Sequence, residues 1–235
     1  MKNFEDLNQY SLWKNNENDI IPTDTEVAEK WAIGELETNS FNLSGQTRIN
    51  IILVLKGAKP GSQFNVIPQK APAVKKLLET MGLYYNFFED KEYDFDKEEN
   101  VPTVTFMISK DKKILDRITE TDKINRQKFS KKDYLKNLDA AGKEEQRKSE
   151  IQSGIDFGYP ATAVEAFSNG EKKMEWVDLP EEIRDSEIGK INRKFPLFSL
   201  SKNNWKEEIE VFKRWISIVK YTSPEIYKQI LESKE

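Results

Sequence analysis

Between residues 156 and 167 the chain reads Asp-Phe-Gly-Tyr-Pro-Ala-Thr-Ala-Val-Glu-Ala-Phe, a tight aromatic glycine–proline turn running directly into a short apolar helix. Gly158 permits backbone conformations closed to other residues and Pro160 fixes its own, so the path of the chain is set locally here. Thr162 with Glu165 three residues later fits a capping box, in which side chains satisfy the free N–H groups of the first turn. That register points Val164 and Phe167 inward, and Gly170 closes the helix. The segment admits two uses. A helix N-terminus beside Tyr159 is a place for an anion. A capped turn that packs Phe157 and Tyr159 into the core is the plainer outcome, and Glu165 would oppose an anion.

Around this segment the chain divides into two differently patterned halves. Residues up to about 22 are polar and Asn-rich, and they lack the basic and apolar regions of a signal peptide. Residues 23–36 read as a helix, with Thr23 and Glu26 as its capping box. The continuous β-rich run 51–55 reads as a strand buried on both faces, ended by Gly57 and the turn at Pro60-Gly61. Residues 63–67, 83–88 and 104–108 read as further strands; 71–81 and 111–119 read as helices, the first stopped by Gly82. From 121 onward the pattern is helical. Residues 130–152 form a charged helix, and 195–200 a brief extended piece. Asn204 with Glu207 opens a helix whose stripe is Trp205, Ile209, Phe212, Ile216 and Val219, joined by Trp215, with Glu210 and Arg214 paired across one turn. Ser223-Pro224-Glu225 starts the last helix. The expectation is an α/β or α+β fold in one domain, 1–235. A small sheet from an alternating half, 1–120, packs against helices, and a mainly helical half, 121–235, closes over it.

Composition removes whole classes of chemistry. The 235 residues include no His and no Cys. That excludes thiolate nucleophiles, disulfides, Fe–S clusters, His-ligated metals and any triad with an imidazole base. Carboxylates, lysines, tyrosines and hydroxyls remain, and so does a hard cation held by oxygen. No cofactor and no metal site is expected. The net charge of −4 speaks against a general nucleic-acid binder. No apolar run reaches membrane-spanning length, so a soluble, cytoplasmic protein with no membrane partner is expected.

Three further segments present chemistry. The loop 56–62 carries Lys56 and Lys59 on glycine-bearing backbone after the expected strand, where α/β folds place ligands, although it matches neither a P-loop nor a dinucleotide fingerprint. The acidic stretch 89–99 is interleaved with aromatics; Asp94 and Asp96 suit a hard cation, but the spacing is not that of a calcium loop, and a solvated edge is the plainer reading. The basic stripe Lys123, Arg126, Lys128, Lys131, Lys132 and Lys136, with Phe129 and Tyr134 inside it, is the pattern that tracks phosphates and stacks bases. Glu144, Glu145 and Glu150 follow it, as on an ordinary solvated helix face.

The turn segment resembles an uncharacterised archaeal family of unknown function whose signature is Gly-Tyr-Pro-x-Cys-Cys-Val-x-x-Phe at a helix start. Gly158, Tyr159, Pro160, Val164 and Phe167 match it, while Thr162 and Ala163 stand where that family often has two cysteines. The resemblance implies an intracellular scaffold without an established activity, and no metal or redox role for the cysteines transfers. The functional expectation is a non-catalytic binding or interaction module for a protein or small-molecule partner, with ligand-binding candidates Tyr159, Thr162, Asp156, Lys56 and Lys59. The alternatives are a carboxylate and lysine enzyme, possible with Mg²⁺, in which Asp156 converges on Lys56 or Lys59, and a nucleic-acid accessory protein using the basic stripe.

Overall fold

The computed structural model describes residues 25–94, 99–129 and 140–233. In chain order the described elements are α1 (Thr25–Thr38), α2 (Gly45–Leu55), β1 (Gly61–Val66), α3 (Ala71–Thr80), β2 (Tyr84–Asp94) and β3 (Glu99–Ser109). They continue as α4 (Lys112–Phe129), α5 (Ala140–Asp156), α6 (Ala161–Ser168), α7 (Glu181–Arg184), α8 (Glu187–Lys194), α9 (Trp205–Thr222) and α10 (Pro224–Glu232). The strands form an antiparallel sheet in the order β1-β3-β2, so the fold is α+β. Thr23 lies outside the described residues, and with it the expected capping box.

The run 51–55 is not a strand but the end of α2. Ser44 starts that helix, its hydroxyl accepting the Thr47 N–H at 3.1 Å. Every residue from Thr47 to Leu55 is buried, because α2 packs against β1, β3, α9 and α10 at once. A helix enclosed on all sides is apolar on all sides and shows no 3.6-residue stripe, so its sequence looks like a doubly buried strand. The loop at 56–62 therefore follows a helix.

Both faces of the sheet are used. Phe64, Phe106 and Phe87 lie side by side across the three strands, with ring centroids 5.7 and 5.9 Å apart. Phe64 and Phe106 belong to the main core together with α2, α3, α9 and α10. On the opposite face Met107 packs with Leu115 and Ile118 of α4. That helix is longer than the expected 111–119. The acidic stretch is a sheet edge, in keeping with the plainer reading: residues up to Asp94 and from Glu99 pair as a hairpin, and β2 is an outer strand in the order β1-β3-β2. Asp94's side chain and Asp96 lie outside the described residues.

In the helical half, α9 buries Ile209, Phe212, Trp215, Ile216 and Val219 of the expected stripe, while Trp205 at its start packs half-buried against the core. Ser223 caps α10, accepting the Ile226 N–H. Three local expectations are corrected. Glu210 pairs with Lys213 at 2.6 Å, not with Arg214, since a spacing of three brings two side chains as close as a spacing of four. The Asn204 side chain makes no cap bond, because its backbone, at φ −121° and ψ 11°, lacks the extended conformation that places a capping side chain. Helix α6 has Pro160, which carries no side-chain acceptor, at its cap position, so Thr162 falls inside the first turn, and Phe167 faces outward at 58% exposure.

The turn after α5 is a helix stop of Schellman type: Tyr159 N–H bonds to Gly154 O at 3.0 Å and Gly158 N–H to Ile155 O at 2.8 Å. Gly158 sits at φ +73°, and a Cβ there would lie 2.5 Å from Pro60 Cδ. Gly170 has φ +68° but open space around it. Gly158→Ala is expected to cost about 2 kcal/mol or more, and Gly170→Ala only about 1 kcal/mol. Urea unfolding of both variants checks this, and equal losses would mean that the contact with Pro60 does not matter.

A buried lysine and an aromatic groove as the candidate functional site

Two turns pack against each other beside the main core. One leads from α2 into β1 and carries Lys56 and Lys59; the other leads from α5 into α6 and carries Asp156, Gly158 and Tyr159. Gly158 lies against Lys59 and Pro60, and Gly61 against the Asp156 carbonyl. The structure thus brings together the two segments singled out in the sequence. It does not join their charges.

Lys56 turns outward and pairs with Glu29 of α1. Lys59 turns inward and is 1% exposed. Its Nζ donates to Asn50 Oδ1 of α2 at 2.8 Å and lies 4.9 Å from the Tyr159 ring centroid and 5.2 Å from that of Trp215. Among the described residues no carboxylate forms an ion pair with it. Burial therefore pulls the amine down to about 7. The ring faces and the amide oxygen favour the ammonium form, but they offer partial charges only.

Asp156 is equally buried and belongs to a different tie. Its Oδ1 accepts from Arg117 Nη2 at 2.5 Å, from Arg117 Nε at 2.7 Å and from Gln152 Nε2 at 3.0 Å. The bond from Asp156 raises the Arg117 pKa above its ordinary value. The carboxylate fixes α5 to α4. A converging Asp156–Lys59 acid–base pair is not formed, since each group has its own partner.

Thr162 leads to a residue that sequence reasoning missed. Its hydroxyl donates at 2.9 Å to Oε1 of Glu208, which is fully buried. Glu208 also accepts from the Ser201 N–H at 2.6 Å and the Ser201 hydroxyl at 2.7 Å. Three donors and a place in the first turn of α9, where the helix dipole favours a negative group, make the burial tolerable. The signal was present: Glu208 stands four residues before Phe212, on the apolar stripe rather than the wet face.

Tyr159 is half-buried, and burial raises its phenol above the ordinary value. Its ring centroid is 6.1 Å from Phe157 and 6.1 Å from Phe198, and Phe198 meets Trp215 edge-on at 5.5 Å. This row of rings borders a cavity of about 400 Å³, lined by Phe157, Tyr159, Val164, Phe167 and Phe198, with Glu150 of α5 among its walls. Ala163, at the second cysteine position of the signature, also lines it, whereas Thr162 is engaged by Glu208.

The basic stripe is partly spent. Arg126 pairs with Asp90 and Asp122, and its guanidinium lies 4.0 Å from the Phe88 ring centroid. Lys123 is 3.8 Å from Glu120. The Lys128 side chain and all of Lys131, Lys132 and Lys136 lie outside the described residues. No protein-family model matches the chain, and neither a curated protein nor a solved structure matches it.

The Lys59 geometry has a consequence for pH. The unfolded lysine titrates near 10.5 and the folded one about 7, so in between the unfolded state holds the extra proton and raising the pH stabilises the fold. The destabilisation is complete below about 7 and fades towards 10. The contribution rises by up to about 1.4 kcal/mol per pH unit. Urea midpoints measured from pH 6.5 to 9.5 are expected to climb in the native chain, and Lys59→Met removes that climb. For the Glu208 tie, Glu208→Ala strands the two buried Ser201 donors and the half-buried Thr162 hydroxyl and is expected to cost about 3 kcal/mol, a fall in Tm of roughly 6–12 °C. A calorimetric loss below about 2 °C would contradict the assigned role.

Proposed function

We propose that this protein is a non-catalytic binding module which receives an apolar group of its partner in the groove bounded by α5, α6 and Phe198. The observation that carries the reading is the cavity of about 400 Å³ walled by Phe157, Tyr159, Phe167 and Phe198, within the range of small-molecule sites and with their predominantly aromatic lining. Phe167 supports it further: a phenylalanine that stays 58% exposed at the edge of such a cavity leaves apolar surface for a partner to cover. The neighbouring charged groups are occupied in holding the walls. Asp156 is tied to Arg117, Glu208 to Thr162 and Ser201, and the Lys59 amine lies beneath the Tyr159 ring.

The signature positions gain a meaning under this reading. Tyr159, Val164 and Phe167 are groove walls, so the residues shared with the archaeal family would be those of a binding surface. The cytoplasmic setting expected from the sequence belongs to the same proposal. No helix among the described residues is long and apolar enough to cross a membrane.

The test uses the neutral fluorescent probe N-phenyl-1-naphthylamine. Saturable one-to-one binding is expected in the native chain. Ser153→Trp, which places an indole in the groove from α5, is expected to weaken it at least about tenfold (about 1.4 kcal/mol) with the circular dichroism unchanged. Absence of saturable binding, or binding that Ser153→Trp leaves intact, would sink the reading.

A further inference from the structure

Resting on the groove reading, we infer that the occupant is a small organic cation, an ammonium group on an apolar body, and that Glu150 supplies its counter-charge. Glu150 is the one charged side chain among the described lining residues. Its Oε1 accepts from Gln146 Nε2 at 2.9 Å, a neutral donor. Among the described residues no cation pairs with it. The basic residues near it in sequence are engaged elsewhere: Arg147 by Glu144 and Asn169, and Lys148 by Glu144.

A neutral apolar ligand filling this groove would strip water from Glu150 and leave the carboxylate without a partner, which is costly. An anion would meet a like charge and no lining cation. An ammonium group removes the cost and gains from the rings as well, since aromatic faces attract positive charge. The rings bordering the groove already do this within the molecule. Lys173 Nζ sits 5.8 Å from the Phe167 ring centroid and Lys59 Nζ 4.9 Å from that of Tyr159. Phe157 and Phe198 hold no such lysine among the described residues, which leaves them for the ligand. A cavity of about 400 Å³ suits a small molecule of this kind.

Phenyltrimethylammonium and its neutral isostere tert-butylbenzene separate charge from shape. Each is titrated against bound N-phenyl-1-naphthylamine in the native chain and in Glu150→Gln, a change that keeps an acceptor for Gln146. The expected result is displacement by the cation at least tenfold more effective than by the isostere, with the preference lost in Glu150→Gln while tert-butylbenzene is unaffected. Equal displacement by the two compounds, or a preference that survives Glu150→Gln, overturns the cation assignment and leaves the groove reading standing. Failure of the dye itself to bind overturns both.

Discussion

Helix α2 has no solvent face from Thr47 to Leu55, and most of the architecture follows from that enclosure. A helix this apolar needs cover on every side. The sheet supplies part of it through β1 and β3, and α9 and α10 supply more. The C-terminal helices thereby join the same core as the strands of the first half. Enclosure also forces polar members of the helix to find partners in the interior. Arg48 reaches Leu36 O and Gln229 Oε1, at 3.2 and 2.6 Å, and ties the helix to α1 and α10. Asn50 takes the Lys59 ammonium donor.

From Asn50 the consequences run outward to the candidate site. Lys59 is held between an amide oxygen and two aromatic rings, and one of those rings, Tyr159, is also a wall of the groove. The turn that presents Tyr159 is fixed from three directions: by Gly158 against Pro60, by Asp156 to Arg117 and by Thr162 to Glu208. Buried charges here position rings. In a chain without His or Cys, ionisable groups spent in this way are held in structural ties, and what they leave is an aromatic surface with, among the described lining residues, one carboxylate beside it. That is the physical basis for reading the region as a receptor.

Much of this was legible beforehand, for identifiable reasons. The helix at 71–80, the α9 stripe and the Ser223 cap each declare themselves within a few residues, through periodicity or local hydrogen bonding. The turn at Gly158 was legible because glycine in left-handed backbone is a local requirement. The run 51–55 was misread because local periodicity vanishes when surroundings are apolar all round. Thr162 was misread because the helix starts two residues earlier than its capping box requires: Pro160 holds the cap position, and the Thr162 hydroxyl donates to a distant carboxylate.

Legible from the chain alone were the excluded chemistry, a small sheet drawn from the first half with a mainly helical second half, and the turn around which the candidate site is built. These depend on residue identity and on interactions between near neighbours. Tertiary structure alone decided that 51–55 would be helix, that Lys59 would lie inside and Lys56 outside, and that Asp156 would pair with Arg117 rather than a lysine. It also decided which donors would meet Glu208 and that Phe167 would lie exposed. Each of those outcomes turns on which group from a remote part of the chain arrives to desolvate or partner the residue. Burial and pairing energies belong to such meetings, and no local pattern encodes them.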